Sequence, residues 1–213
     1  LCVRQKLRHL HAHFANVASD VSLIASVLNA RPFSFTMHGP TEFFAIPGHR
    51  LAEKANAATA VLCISDFARS QLMALLSPAD WGKLHVVHCG VDPAQFAIPR
   101  PAREPEAPLE LLCVARLAPV KGHPILLQAL HDLLERGVDA RLTLAGDGPL
   151  REDLEDLAEH LQLTERVRFL GNVGQDVIHQ LYAAADIFVL PSFAEGVPVV
   201  LMEAMAAGCP VVA

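Results

Sequence analysis

The chain has 213 residues, 52% of them hydrophobic and 19% charged, with a formal net charge of −6 at pH 7. That length suits one large domain or two small ones, and that composition supplies a buried core and excludes general disorder. A negative chain without a long basic run disfavours nucleic acid as a partner, and no apolar stretch reaches the ~18 residues needed to span a bilayer.

In chain order, HLHAHF (9–14) reads as a short strand, and apolar residues recur at helical spacing from Val17 to Leu28. PFSFTMHG (32–39) reads as a strand ending in a turn, HRLAEKANAATA (49–60) as a helix and AVLCIS (60–65) as a buried strand. Ser65 or Asp66 is expected to cap a helix running to about Leu76, followed by a strand and turn in KLHVVHCGVD (83–92). IPRPAREPEAP (98–108) carries four prolines and four charges in eleven residues and reads as a linker.

The alternation then resumes. LELLCVARL (109–117) is a strand, HPILLQALHDLLERG (123–137) a helix closed by Gly137, and ARLTLAGDG (140–148) a strand with a glycine turn. PLREDLEDLAEHLQL (149–163) reads as a helix with Pro149 in its first turn. VRFLGNV (167–173) is a strand, DVIHQLYAAAD (176–186) a helix, and IFVLPS (187–192) a strand. A small-residue helix starts near Pro198, and PVVA (210–213) closes the series. Strands separated by helices predict parallel sheets with helical crossovers. The expected fold is therefore α/β, with two Rossmann-like doubly wound domains, both incomplete: a partial one over 1–97, the linker 98–108, and a second, truncated at its C-terminus, over 109–213.

The five cysteines, Cys2, Cys63, Cys89, Cys113 and Cys209, form no CxxC pair and mostly sit in apolar runs. They read as reduced core thiols of a cytoplasmic protein. Eleven histidines lack zinc-site spacing; HLHAH comes nearest but has no carboxylate or cysteine beside it, so no metal is expected. No signal peptide is read at the start. Residue 1 is Leu and the chain stops at Val212-Ala213 within a strand-like run, so an internal piece of a longer protein is expected.

Arg116 and Lys121 lie between the first strand of the second domain and its helix. A strand's carboxyl edge, a helix N-terminus and two cations suit an anion, most naturally a diphosphate. Glu195 and Glu203, with seven residues between them, flank the start of the last helix at the same sheet edge. Eight positions of helix span ~12 Å, too far for a glycosidase-type carboxylate dyad, so separate roles are expected. Glu203 would accept hydrogen bonds from a diol such as a ribose, and Glu195 would hold hydroxyls beyond the phosphates. An unpaired Glu203 on an all-apolar helix would be costly. His38 ends a strand of the first domain, and a cleft between the domains would bring it opposite Glu195; a capping or core histidine is the alternative. Gly146-Asp147-Gly148-Pro149 is explained by a strand-to-helix turn, although its glycines would also let a flat base approach the backbone; Gly171 and Asn172 invite the same reading. No Walker loop, GxGxxG, GxSxG or HExxH occurs, and no Asp-x-Asp pair is present to hold a diphosphate through a metal.

ARLAPVKGH, LAGDGPLREDLEDLA, RVRFLGNV and LYAAADIFVLPSFAEGVPVVLMEAMAAGCPVVA resemble, in order, the donor domain of glycosyltransferase family 4. HAHFAN, FSFTMHG, VLCISDFARSQL and VVHCGVDPAQF resemble its acceptor half, most like the bacterial exopolysaccharide enzymes. The resemblance implies a GT-B fold and a retaining, metal-independent transferase. The donor would be a nucleotide-diphosphate sugar, UDP or GDP, with no separate cofactor. It also implies roles: Arg116 and Lys121 on the diphosphate, Glu203 on the ribose, Glu195 on the donor sugar with Gly196, Val197 and Gly146 in the donor set, and His38 reaching the sugar from the other domain. The acceptor would be a saccharide or lipid-linked saccharide, with peripheral association at the inner face of the plasma membrane. The family's N-terminal glycine-rich loop would lie before Leu1, a further donor-contacting segment would follow the last strand, and Cys89 stands where the family usually has Asn. Weak or no activity is therefore expected of these residues alone. A nucleotide-sugar epimerase and a non-catalytic nucleotide-sugar-binding module are the other readings.

Overall fold

A computed structural model describes residues 7–43, 46, 48–104 and 106–213, apart from the side chains of Pro40 and Thr41. Cys2 lies outside the described residues. The chain divides into two compact units, residues 1–89 with 195–197, and residues 90–194 with 198–213.

The first unit is built from β1 (Leu10–His13), α1 (Val17–Asn29), β2 (Phe33–Met37), α2 (Leu51–Ala57), β3 (Ala60–Cys63), α3 (Asp66–Leu75) and β4 (Leu84–Val86). Its four strands are parallel in the order β1-β2-β3-β4, so each must be followed by a crossover, which the helices provide. β2 is buried along its whole length, as expected of an inner strand covered on both faces. Asn16 caps α1 by accepting the Ala18 N–H at 3.0 Å, and Ser65 caps α3 by accepting the Ala68 N–H at 3.2 Å.

The second unit contains β5 (Leu109–Val114), α4 (His123–Glu135), β6 (Ala140–Ala145), α5 (Arg151–His160), β7 (Val167–Gly171), α6 (Gln175–Ala184), β8 (Ile187–Val189), α7 (Val199–Ala206) and β9 (Val211–Val212). These strands are also parallel, in the order β7-β6-β5-β8-β9. The order reverses between β5 and β8, the topological switch point at whose carboxyl ends α/β sheets open a crevice. Leu112, Leu127, Leu130, Tyr182 and Phe188 form the buried centre of this unit.

Two details differ from the sequence reading. Pro149 stands outside α5, which begins at Arg151. Leu150 donates its N–H to the Leu117 carbonyl at 3.1 Å, so the chain is still tied to the loop after β5 when it reaches Leu150. The stretch 98–108 has no helix or strand among its described residues, but it is fastened down. Arg100 donates to the Tyr182 and Ala185 carbonyls at the end of α6, groups a helix leaves without partners of its own. Arg103 pairs with Asp186 at 3.3 Å. Just before it, Phe96 is buried against the rings of His179 and Tyr182, with centroids 4.6 and 6.3 Å away. The division between units accordingly falls at Cys89 and Gly90.

Cys63, Cys89, Cys113 and Cys209 are free thiols. Burial pushes Cys113 up to about 12 and Cys63 to about 11, so both stay protonated near neutrality.

Candidate functional site

At the switch point of the second unit, the loops after β5, β6 and β8 lock onto one another. The loop after β5 runs through Arg116 into a short 3-10 turn, Pro119–Lys121, and then Gly122. Gly122 takes φ 67, and a Cβ there would run into the carbonyl of Pro191, just past β8. The Phe193 N–H donates to the Val120 carbonyl at 2.9 Å, joining the same two loops. After β6, Gly146 takes φ 138, and a Cβ on it would overlap the Ala115 carbonyl. The Leu117 N–H donates to the Asp147 carbonyl at 3.0 Å. Loop-on-loop packing is therefore what requires glycine at these two positions.

The loops after β5, β6 and β7, with α6 and α7, wall a concavity of about 490 Å³, lined among others by Arg116, Gly146, Asp147, Asn172, Gln175 and Glu203. Three residues marked from the sequence, Arg116, Gly146 and Glu203, therefore meet in one place. Asn172, noted only weakly, lines it too. Asp147 stands in a loop, where no periodicity marks a side chain, and Gln175 opens α6, where the sequence signal fixes a helix start only loosely. An arginine, two carboxylates and two amides surround this hollow at the carboxyl edge, a polar lining with groups able to bond hydroxyls and one cation able to meet an anion.

Glu203 is not an unpaired charge. Its Oε2 accepts the Tyr182 O–H at 2.9 Å, and that hydroxyl also reaches the Val200 carbonyl at 3.3 Å. Tyr182 is fully buried, and burial, reinforced by the Glu203 carboxylate, pushes its phenol far up, so it remains a donor. Lys121 is half-buried and lies outside the wall of the concavity. Beside it, the buried His123 opens α4, with Nε2 3.9 Å from Cys113 Sγ. Burial first, then Lys121, holds this imidazole below its usual value. Neither α4 nor α7 has a side-chain cap at its start.

His38, Glu195, Gly196 and Val197 fall in the first unit. There a Cβ on Gly196 would collide with the His38 carbonyl and crowd the Gly39 Cα. His38 is half-buried at the end of β2. Its Nε2 lies 2.7 Å from His13 Nδ1, one nitrogen donating and the other accepting, and its ring centroid lies 4.6 Å from that of Phe14. Burial, then His13, holds the His38 imidazole below the ordinary histidine value. HLHAH is thus one side of an imidazole row. His9 and His11 bond Ser34 at 2.8 and 2.7 Å, His11 also reaches Thr36 at 3.0 Å, and His13 meets His38. The period-two spacing of these histidines on a strand was the available signal for a shared face. Among the described residues, no group of three or more His, Cys, Asp or Glu is placed to hold a metal ion.

Residues 95–213 match the family model of glycosyl transferases group 1. The chain belongs to this family. Residues 2–95 match the model of Glycosyltransferase Family 4. Among relatives of this group 1 chain is WcaL of Escherichia coli, assigned to colanic acid biosynthesis as a glycosyltransferase. It is 39% identical over 158 residues, which cover 71% of the chain and 38% of WcaL. A GDP-mannose-dependent alpha-(1-6)-phosphatidylinositol monomannoside mannosyltransferase of Mycobacterium tuberculosis is 33% identical over 168 residues, covering 72% of the chain and 43% of that enzyme. The crystal structure of Anabaena HepE in complex with UDP and glucose superposes with a TM-score of 0.82 at 25% identity, over 98% of this chain and 59% of HepE. The two parallel-sheet units are those of GT-B glycosyltransferases. The group 1 chain spans well under half the length of these curated relatives. No helix among its described residues is long and apolar enough to cross a membrane.

Proposed function

We propose that the protein transfers a sugar from a nucleoside-diphosphate sugar to a saccharide or lipid-linked saccharide, with retention of anomeric configuration and without a metal. The observation that carries this is the meeting of Arg116, Gly146 and Glu203 in one concavity at the switch point of a chain in this family. The reaction needs charge stabilised on the departing diphosphate oxygen. Arg116, with Lys121 and the nearby starts of α4 and α7, supplies cations and aligned N–H groups for that purpose. Glu203, held by Tyr182, offers its free oxygen lone pairs to the ribose diol. Gly146 lines the same concavity, where the base would meet its backbone.

His38 and Glu195, with Gly196 and Val197, contact the sugar. Retention follows if the acceptor attacks from the face the diphosphate leaves, the departing oxygens taking the acceptor's proton. No carboxylate nucleophile is then required.

Two relatives support a nucleotide donor of either base: HepE was crystallised with UDP and glucose, and the mycobacterial enzyme is named for GDP-mannose. The latter name also supports a lipid-linked acceptor; such an acceptor would be met at the cytoplasmic face of the membrane. A melting screen of the protein against UDP, GDP, ADP and TDP sugars identifies the donor class by a selective shift. Arg116→Ala should lower turnover about 100-fold or more. Turnover unchanged in Lys121→Ala, Glu203→Ala protein would show that the site is misassigned. Titration that detects nucleotide binding without any transfer would instead favour a binding module, and product formed without acceptor would favour an epimerase.

A further inference from the structure

Two buried charges grip the turn between β1 and α1. The Glu42 carboxylate, 5% exposed, accepts the Ala15 N–H on Oε1 and the His38 N–H on Oε2, the latter at 3.2 Å. The Lys54 ammonium, 0% exposed, donates to the Ala15 carbonyl at 2.9 Å and the Asn16 carbonyl at 3.1 Å. It also pairs with Asp20 at 2.9 Å. Glu42 stands in the 3-10 turn after β2 and Lys54 on α2, so residues far apart in sequence converge on Ala15, itself fully buried.

The turn they hold is unusual. Phe14 takes φ 71, a left-handed conformation that a bulky side chain adopts only where its surroundings impose it. Its ring faces that of His38, and its N–H donates to the Thr36 carbonyl at 2.9 Å. Burying an ammonium and a carboxylate is costly, and an apolar side chain would fill the same space without that cost. What apolar side chains cannot do is bond three backbone groups at once, the amides of Ala15 and His38 and the carbonyl of Ala15; the Asn16 carbonyl accepts from the Ser19 and Asp20 N–H groups as well. Glu42 in particular ties the end of β1 to the end of β2 through one rigid carboxylate.

We infer that Glu42 and Lys54 are positioning residues, which lock the Phe14–Asn16 turn and the His38 backbone so that the His38 ring is presented in a single orientation against His13 and Phe14. This rests on the reading of His38 as a residue that meets the donor sugar.

The test uses the protein with Glu42→Gln, Glu42→Asp and Lys54→Met, and with exposed Arg50→Ala as control. Histidine ring NMR signals are assigned through His38→Gln, and steady-state kinetics are measured well below the melting temperature. Glutamine turns an amide donor toward a backbone N–H, and aspartate draws the oxygens back while keeping the charge, so a fold lost in one variant leaves the other readable. The His38 and His13 signals should move in the Glu42 and Lys54 variants but not in Arg50→Ala. kcat should fall about 10- to 100-fold with donor KM nearly unchanged, the mark of misplacement rather than lost binding. Ring signals that stay at their original positions while only the melting temperature drops would overturn the inference. So would full kcat in the clamp variants when His38→Gln has lost turnover. Moved signals with full turnover in His38→Gln itself would leave the clamp standing and remove the role given to His38.

Discussion

A carboxylate on an apolar helix demands a donor, and for Glu203 that donor sits 21 positions earlier, on α6. Tyr182→Phe deletes one oxygen and keeps the ring that fills the core. The Glu203 carboxylate loses the one phenol proton, which the Val200 carbonyl shares at longer range, so the second unit should become less stable by about 1–3 kcal/mol. Urea unfolding measures this, and an unchanged midpoint would show the contact to be energetically idle. The imidazoles give a second residue-scale expectation, in pH. His11 and His38 are held below the ordinary histidine value of 6.5, first by burial and then by neighbouring histidines. Their neutral forms are favoured in the fold relative to the unfolded chain. Their contribution is therefore complete above about pH 6.5 and is lost as pH falls through that value toward the depressed folded ones. Melting of the first unit should decline from pH 7 to pH 5, with both rings titrating below a free histidine in an NMR titration. Ring signals that titrate at or above 6.5 would contradict the burial argument.

At the level of elements, the order of strands and helices was legible because apolar runs of strand length alternate with helical spacing, as at 109–117 and 123–137. Caps at Ser65 and the close at Gly137 were legible from residue type. Less visible were the 3-10 turns Pro40–Phe43, Pro78–Lys83, Pro93–Phe96 and Pro119–Lys121. Each opens on a proline, whose fixed φ suits a short tight turn, so a signal was present but lay outside any periodic run. The candidate site divides in the same way. Arg116 and Glu203 could be placed because strand ends are predictable, whereas Asp147 and Gln175 depend on how loops after β6 and β7 fold back. Gly146 is where that folding is fixed. Gly146→Ala imposes an unfavourable positive φ and a clash with the Ala115 carbonyl. Together these should destabilise the second unit by about 2–4 kcal/mol. The melting temperature checks it; a stability loss below that range would mean the two loops yield easily.

For the whole molecule, the two units have separate cores, one around Phe35 and Leu72 and the other around Leu127 and Phe188. A ligand that binds through residues of one unit stabilises that unit by mass action, whatever the other does. Arg116, Gly146 and Glu203 all belong to the second unit. A nucleoside diphosphate without its sugar should therefore protect amides of β5–β9 in hydrogen exchange, by about 2.7 kcal/mol at a hundredfold excess over Kd, if it binds only the folded unit. Amides of β1–β4 should change little, because the groups assigned to the sugar in that unit, His38 and Glu195 among them, have no sugar to meet. Arg116→Ala should reduce the nucleotide effect in β5–β9. Protection by bare nucleotide confined to β1–β4 would place the phosphate site in the wrong unit and end the argument from the switch point.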